Sequence, residues 1–204
     1  RNEELKSHFD FEYILFLGTS WNWNEEETIK TIDEFITQNH FLKKKYKIIY
    51  RPHPFRQGKT IPVNFKNVIY DPEILKIIEK KTHSHSNLHY YPSLIKNAKF
   101  VMGGPQTMMI EATIFNKFYL ALTYDDKVNY TNMKKVFLSY QHFRGIEKIE
   151  NIHYCNDLNK LGQEILKMIS LNSLDINDID YQRNFIFFKD EKRYDQKILN
   201  AVDE

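Results

Sequence analysis

Three short segments of the chain combine residue types that can hold an anionic ligand. The first is Gly18-Thr19-Ser20, in which a glycine precedes two hydroxyl residues. Backbone N–H groups and hydroxyl donors arranged in this way can approach a phosphate closely. The segment differs from a Walker loop because no Gly-Lys-Ser/Thr sequence follows it. The alternative interpretation is an ordinary turn at the end of a strand.

The second segment, Arg51-Pro52-His53-Pro54, places a histidine between two prolines. Each proline fixes its own backbone and restricts the residue before it, so this loop should be stiff. A rigidly held imidazole can act as a cation or as a hydrogen-bond donor toward an anionic ligand. The alternative is a structural histidine whose ring is bonded to a backbone carbonyl.

The third segment contains two adjacent glycines, Gly103 and Gly104, which would let a ligand approach the backbone. Pro105 suits the first position of a helix, where free N–H groups and the helix dipole attract an anion. Thr107 adds a hydroxyl in the first turn. Glu111, four residues further on, would share its helix face and could accept hydrogen bonds from ribose hydroxyls. The alternative is a plain helix entry with an exposed glutamate.

Two further polar clusters offer weaker chemistry. Asp125 and Asp126 follow a predicted strand and could contact the hydroxyls of a polar ligand, or could form a solvated turn. His83, His85 and His89 could ligate a transition metal. No carboxylate or cysteine accompanies them at the spacing of a known motif, which favours an exposed polar loop. No metal site is therefore predicted.

Alternating apolar runs and amphipathic segments must position these residues. Apolar runs of strand length predict strands at 13–17, 47–50, 67–70, 99–102 and 118–123. Helical spacing and capping residues predict helices at 25–39, 73–80, 93–97, 105–115, 158–169 and 191–202. The alternation predicts an α/β fold with a doubly wound, mostly parallel, Rossmann-like sheet. All three segments follow strands of this sheet, so they should meet at its carboxyl edge.

Composition limits the class of protein. The 204 residues carry a formal net charge of +2, and a nucleic-acid binder would show a larger basic surplus. The single cysteine, Cys155, excludes a disulfide framework and a cysteine-based zinc site. No apolar run reaches the roughly 20 residues that span a bilayer. Because the chain opens at Arg1 without an initiator methionine, we expect it to be part of a longer natural protein.

Taken in chain order, these segments resemble the C-terminal, donor-binding half of GT-B glycosyltransferases. The resemblance is greatest to bacterial surface-polysaccharide enzymes and CDP-glycerol-type polymer transferases, and it covers residues 13–125 well. It rests on the His-Pro element, the small-residue loop, the helix with an acidic residue and the turn that follows: Arg51-Pro52-His53-Pro54, Gly103-Gly104-Pro105-Gln106-Thr107, Met108-Met109-Ile110-Glu111-Ala112 and Phe115-Asn116-Lys117-Phe118.

The resemblance implies a domain organisation and a donor site. Residues 1–12 would be a linker or fraying segment, and residues 13–204 one nucleotide-sugar-binding domain. The catalytic contact to the donor phosphates would come from His53, and Glu111 would face the ribose. The predicted donor site is completed by small and polar residues, namely Gly18, Thr19, Ser20, Arg51, Gly103, Gly104, Gln106, Thr107 and Asp125. Such enzymes stabilise the leaving nucleotide diphosphate without a bound metal, so no cofactor is expected.

The resemblance also implies partners. These are a nucleotide-sugar donor, a glycan or lipid-linked acceptor, and an N-terminal acceptor-binding domain that supplies the general base; nucleic acid is not expected. The expected location is the cytoplasm, with a peripheral position at the inner membrane face left open. The alternatives of the same fold are a CDP-alcohol phosphotransferase and a nucleotide-sugar 2-epimerase. An alternative of another class is a non-catalytic α/β interaction domain, which predicts that the loops at 51–54 and 103–107 lie far apart.

Overall fold

Short apolar segments form one parallel sheet in the computed structural model, which describes residues 5–54, 64–79 and 90–172. In this part of the chain the sheet has six strands, in the spatial order β3-β2-β1-β4-β5-β6, and every neighbouring pair is parallel. This is the doubly wound Rossmann-like order, so the predicted fold class is confirmed. The strands are β1 (Glu12–Leu17), β2 (Tyr46–Arg51), β3 (Val68–Tyr70), β4 (Val101–Gly103), β5 (Tyr119–Leu122) and β6 (Ile152–Cys155).

Helices cover the sheet on both faces. This is why β1 is apolar from Tyr13 to Leu17: these five residues are at most 2% exposed, and none of them faces water. The helices are α1 (Glu25–Gln38), α2 (His40–Lys45), α3 (Pro72–Glu79), α4 (Tyr90–Asn97), α5 (Met108–Ile114), α6 (Met133–Ser139) and α7 (Leu161–Ser170).

Side-chain caps decide where several helices begin. The Asn24 side chain accepts the Glu27 N–H at 3.1 Å, which confirms the predicted start of α1. Asn39 is extended, ends α1 and accepts the Leu42 N–H at 3.1 Å. It therefore starts α2, a separate helix that the periodicity did not predict. Asn116 has a φ of 54° after α5, a left-handed conformation that ends helices and that asparagine tolerates.

The start of α5 differs from the prediction. The helix begins at Met108, and Pro105 lies in a non-helical turn three residues before it. The backbone N–H of Met109 donates to Gln106 at 3.1 Å and that of Ile110 to Thr107 at 3.0 Å, so turn bonds satisfy these first amides. The expected helix N-terminus at Pro105 is therefore wrong, and α5 is a short helix of seven residues.

Two elements, β6 and α6, lie where the sequence predicted neither a strand nor a helix. The strand β6 pairs with β5 at the edge of the sheet, and only Ile152 and Cys155 among its residues are buried. An edge strand with half-exposed residues has no continuous apolar run to mark it. The helix α6 is capped by Asn132, whose side chain accepts the Lys135 N–H at 3.1 Å. The helix predicted at 191–202 lies outside the described residues, as do His83, His85 and His89.

The segment before β1 packs on the domain where it is described. The side chain of Asn97 donates to the Leu5 carbonyl at 3.0 Å, and Ser93 bonds to the Lys6 carbonyl. The ring of His8 lies 4.4 Å from that of Tyr90. Residues of the described part of this segment are thus tied to α4, and Glu12 already belongs to β1. None of the helices in the described ranges is both long and apolar enough to cross a bilayer.

Gly103 and Gly104 are packing residues. A Cβ on Gly103 would overlap the Leu17 carbonyl oxygen, and one on Gly104 would overlap the sulfur of Met133. Both glycines are buried, so protein atoms occupy the space that a ligand was expected to use. The absence of two side chains lets the end of β4 lie directly against the end of β1.

We expect Gly103→Ala to lower the free energy of unfolding by about 1–3 kcal/mol or more, because the obstructing atom is a backbone carbonyl that cannot rotate away. Urea unfolding followed by circular dichroism measures this. The control is Ser139→Ala at an exposed position. A stability change in Gly103→Ala no larger than that of the control would contradict the packing role.

Candidate functional site

A cavity of about 370 Å³ opens at the carboxyl edge of the sheet. It lies where the chain leaves β1, β2 and β4. Because β1 and β4 are neighbours while the connections from them run in opposite directions, this is the topological switch point where doubly wound sheets bind ligands. The cavity is lined by Leu17, Gly18, Thr19, Ser20, Trp21, Arg51, Pro52, His53, Pro54, Tyr91, Pro105, Gln106, Thr107, Met108 and Phe143.

The loop after β1 uses two of its backbone donors internally. The N–H of Gly18 donates to the Arg51 carbonyl at 2.8 Å and extends the pairing of β1 with β2. The N–H of Thr19 donates to the Glu25 carboxylate at 2.9 Å. Thr19 is also buried, whereas the side chain of Ser20 is exposed. Of this loop, Ser20 is the residue best placed to offer a hydroxyl to a ligand.

Glu25 is a buried carboxylate beneath this loop, with 1% of its surface exposed. It accepts hydrogen bonds from the Thr19 N–H, from the indole N–H of Trp23 at 2.7 Å and from the hydroxyl of Tyr50 at 2.6 Å. These donors come from the loop after β1 and from β2. Glu25 therefore fixes the position of the β1 loop relative to the neighbouring strand.

Arg51, the last residue of β2, is buried and forms an ion pair with Asp71. Asp71 also accepts the Tyr90 hydroxyl at 2.8 Å and the Glu73 N–H at 3.0 Å. On the cavity side, the guanidinium carbon of Arg51 lies 4.8 Å from the centre of the Tyr91 ring. The charge of Arg51 is thus compensated within the protein, and this network holds the strand end from which His53 projects.

Glu111 lies outside the cavity lining, near Tyr91. Burial raises the pKa of the Glu111 carboxyl. Burial, and next the charge of Glu111, raise the pKa of Tyr91 well above its usual value. The hydroxyl of Tyr91 is buried and has no hydrogen-bond partner among the described residues. Glu111 and Tyr91 are both half-buried, and of the two only Tyr91 lines the cavity.

The loop after β4 contributes Gln106 and Thr107. The side-chain amide of Gln106 donates to the Tyr119 hydroxyl at 3.1 Å, and that hydroxyl donates to the Gly104 carbonyl at 2.9 Å. Gln106 is half-buried, and its side-chain amide helps to fix the conformation of the loop. Thr107 is exposed and lines the cavity, so its hydroxyl is accessible there.

Asp125 lies in a separate depression of about 320 Å³ beyond β5. Its carboxylate accepts the side-chain amide of Asn132 at 2.8 Å and the N–H of Lys127 at 2.8 Å, as in a capped turn. Asp126 accepts the N–H of Asn24 at 2.9 Å and so ties this turn to the start of α1. The structure does not bring Asp125 to the main cavity.

The structure therefore divides the predicted site residues into two groups. Seven line one cavity, and the loops at 51–54 and 103–107 meet there, which is the opposite of what the interaction-domain alternative predicts. These seven are Gly18, Thr19, Ser20, Arg51, His53, Gln106 and Thr107. The four residues outside the lining are Gly103, Gly104, Glu111 and Asp125. In the described part of the chain, no group of three or more histidine, cysteine, aspartate or glutamate side chains could hold a metal ion.

Three aromatic residues of the lining were missed from the sequence. Trp21 directly follows the predicted β1 loop, and its position was the available indication. Its ring lies 5.0 Å from that of Tyr140. Tyr91 belongs to the first turn of α4, which the prediction started three residues too late at Ser93. Phe143 lies in a short 3₁₀ turn that has no periodic pattern.

We expect Asp71→Ala to lower the free energy of unfolding by about 3–5 kcal/mol, because it leaves the buried charge of Arg51 without its partner. The matched control is Glu73→Ala. It removes a solvent-exposed pair with Lys76, at 2.8 Å on the surface of α3, and should cost at most about 1 kcal/mol. Urea unfolding of both variants makes the comparison. Equal losses would show that the Arg51–Asp71 pair does not hold this strand end.

Comparisons with known proteins bear on the fold. No protein-family model matches the chain, and no curated protein matches it by sequence. Among solved structures, the chain is similar to the glycotransferase of kitacinnamycin, with a TM-score of 0.50 and 8% identity over 90% of this chain and 41% of that one. It is also similar to the wall teichoic acid polymerase TagF, with a TM-score of 0.55 and 14% identity over 88% of this chain and 40% of that one.

A third similarity is to UDP-GlcNAc 2-epimerase from Methanocaldococcus jannaschii, with a TM-score of 0.49 and 17% identity over 84% of this chain and 42% of that one. The chain thus spans about two fifths of the length of each of these proteins. At such identities the first two similarities show that this chain shares its α/β fold with part of each of those two proteins.

Proposed function

We propose that this chain is the donor-binding domain of a nucleotide-sugar-dependent glycosyltransferase that serves surface-polysaccharide synthesis. The observation that carries the proposal is the cavity at the switch point, into which three loops bring His53, Thr107 and Ser20. The similarity in fold to a glycotransferase and a teichoic acid polymerase supports the class of reaction. The cavity volume of about 370 Å³ also falls in the range of small-molecule sites.

His53 is the proposed catalytic residue. It follows β2 directly, between two prolines, and its backbone N lies only 3.0 Å from where a Cβ on Gly18 would be. This close packing against the β1 loop limits how far the residue can move. A half-exposed imidazole held at the cavity can bond to the donor diphosphate and stabilise the negative charge that develops as the sugar leaves.

Neutral donors complete the proposed diphosphate site. Thr107 and Ser20 have exposed side chains and line the cavity from the loops after β4 and β1. Their hydroxyls can donate to phosphate oxygens without adding net charge. The charge of Arg51 is already balanced by Asp71, so in this proposal Arg51 supports the loop and its contribution to the ligand is secondary.

The nucleoside is proposed to extend from Thr107 along α5 toward Glu111, which lies one helical turn further on. The half-buried carboxylate of Glu111 can accept hydrogen bonds from ribose hydroxyls. The rings of Trp21 and Phe143, which line the cavity, provide flat apolar surface for the base or the sugar. Asp125 is left out of the proposed site because it lies in a different depression.

The rest of the reaction is assigned to protein outside this chain. A second domain would bind a glycan or lipid-linked acceptor and supply the general base. This fits the finding that the chain spans only about two fifths of the length of its structural neighbours. Transfer would take place in the cytoplasm, and no cofactor is proposed. In this proposal the chain alone binds the donor nucleotide weakly and does not turn it over.

Calorimetric titration with UDP, CDP and GDP tests the donor site. We expect one of the three to bind at millimolar concentration or below. His53→Ala should weaken binding by about tenfold or more, because a hydrogen bond to a charged group contributes about 1.5–3 kcal/mol. Thr107→Val should weaken it less, since a neutral hydrogen bond contributes about 1 kcal/mol. The matched controls are His40→Ala and Thr31→Val, which lie on helices away from the cavity.

Two outcomes would contradict this part of the proposal. If none of the three nucleotides binds at millimolar concentration, the chain lacks a donor site. If His40→Ala weakens binding as much as His53→Ala does, the effect of the histidine is unrelated to the cavity. Circular dichroism of each variant checks that a loss of binding does not come from unfolding.

Product analysis distinguishes glycosyl transfer from phosphotransfer. The natural protein that contains this chain is incubated with UDP-glucose, UDP-N-acetylglucosamine or CDP-glycerol, and the released nucleotides are separated by ion-exchange chromatography. We expect release of UDP, because cleavage between sugar and diphosphate leaves both phosphates on the nucleoside. Release of CMP from CDP-glycerol would instead establish an alcohol-phosphate transferase and overturn the proposed reaction.

A further inference from the structure

A second cavity lies at the amino edge of the sheet, on the side opposite the proposed donor site. Its volume is about 290 Å³, and it sits between the starts of β1, β4 and β5. Polar groups on its wall come from Glu12, Asn97, Lys99, Asn116 and Lys117, and the backbone of Leu171 closes one side. None of these residues contributes to the donor cavity.

The sheet register brings Lys99 and Lys117 together. Val101 pairs with Tyr119 in the parallel ladder, so the two lysines occupy equivalent positions two residues before β4 and β5. Both are half-buried against the same cavity. Burial lowers the pKa of Lys117, and the positive charges of Lys99 and of Lys96, at the end of α4, lower it further. At this corner of the sheet, burial and the neighbouring lysines therefore disfavour the charged form of Lys117.

Among the described residues that line this cavity, Glu12 is the only one with a carboxylate. That carboxylate forms an ion pair with Lys45 at 3.5 Å. The ammonium group of Lys99 donates to a neutral acceptor, the Leu171 carbonyl, at 3.3 Å. The described part of the cavity wall therefore holds two lysines, Lys99 and Lys117. Its one carboxylate, that of Glu12, is paired with a third lysine, Lys45.

Asn116 adds a polar atom in need of a partner. Its left-handed backbone, with a φ of 54°, ends α5 at the cavity wall. The side-chain oxygen is buried and has no hydrogen-bond partner among the described residues. Because this oxygen is buried, the rest of the Asn116 surface is what a ligand in the cavity would meet.

We propose that this amino-edge pocket, formed by Lys99, Asn116 and Lys117, binds a phosphate monoester or inorganic phosphate. The anionic oxygens would pair with the two ammonium groups. Sulfate has the same shape and serves as a second probe of these two charges. The phosphate could belong to a free metabolite or to the headgroup of a lipid.

The test is calorimetric titration of the chain with inorganic phosphate and then with sulfate, in the His53→Ala background so that the donor cavity does not compete. Both anions should bind, because sulfate has the same shape and is also negatively charged. Lys99→Gln combined with Lys117→Gln should weaken phosphate binding by about tenfold or more. Lys160→Gln, which removes the charge of an exposed lysine outside the pocket, is the matched control and should change it less than about twofold.

Lysine-selective NMR provides a second readout that a general loss of stability would not reproduce. Binding of an anion should raise the pKa of Lys117 toward its ordinary value, and the Lys117→Gln variant identifies its resonance. No phosphate binding at millimolar concentration, or a pKa of Lys117 that phosphate leaves unchanged, would overturn the proposal.

Vesicles distinguish the two sources of phosphate. Co-sedimentation with phosphatidic acid in phosphatidylcholine vesicles that depends on Lys99 and Lys117 indicates a lipid headgroup, and its absence despite binding of inorganic phosphate indicates a free metabolite. The sequence after Leu171 also carries Asp175, Asp178 and Asp180. If the variant with all three changed to Asn binds phosphate while the native sequence does not, the pocket serves the chain's own carboxylates and the proposal is overturned.

Discussion

The geometry of the main cavity depends on one buried carboxylate. Glu25 accepts hydrogen bonds from the Thr19 backbone, the Trp23 indole and the Tyr50 hydroxyl, and so joins the loop after β1 to β2. A buried carboxylate needs such donors, and each donor would be costly to leave unpaired. The Arg51–Asp71 pair fixes the end of β2 in the same way. Together they set the distance between the Ser20 and His53 loops before any ligand is present.

This internal use of polar groups leaves few donors for a ligand. The N–H groups of Gly18 and Thr19 and the side-chain amide of Gln106 are bonded within the protein, and α5 begins too late to offer a free helix end at Pro105. Exposed polar side chains in the cavity therefore become the natural contacts. The formal net charge of +2 fits this picture, because attraction of an anion would depend on a few groups and not on the whole surface.

The sequence predicted what local pattern determines and missed what distant contacts determine. The apolar run of β1, the cap at Asn24 and the three strand-end segments are local, and they led to the correct fold class and to seven residues of one cavity. Glu25 looked like an ordinary acidic residue in a first helical turn, because Tyr50 lies 25 residues away. The edge strand β6 was missed because its two middle residues are half-exposed and only its two end residues are buried, so it has no continuous apolar run.

The two glycines at the end of β4 have a consequence for how such a cavity could change during evolution. The space that a side chain at Gly103 or Gly104 would need is occupied by the Leu17 carbonyl and by Met133 and Thr19. The two glycines therefore keep a fixed spacing between two strands. A substitution at either glycine would disturb the packing of the two strands before it changed which ligand the cavity binds. Exposed positions such as Ser20 and Thr107 carry no comparable packing constraint. New ligand preferences can therefore arise at the rim of the cavity while its floor stays the same.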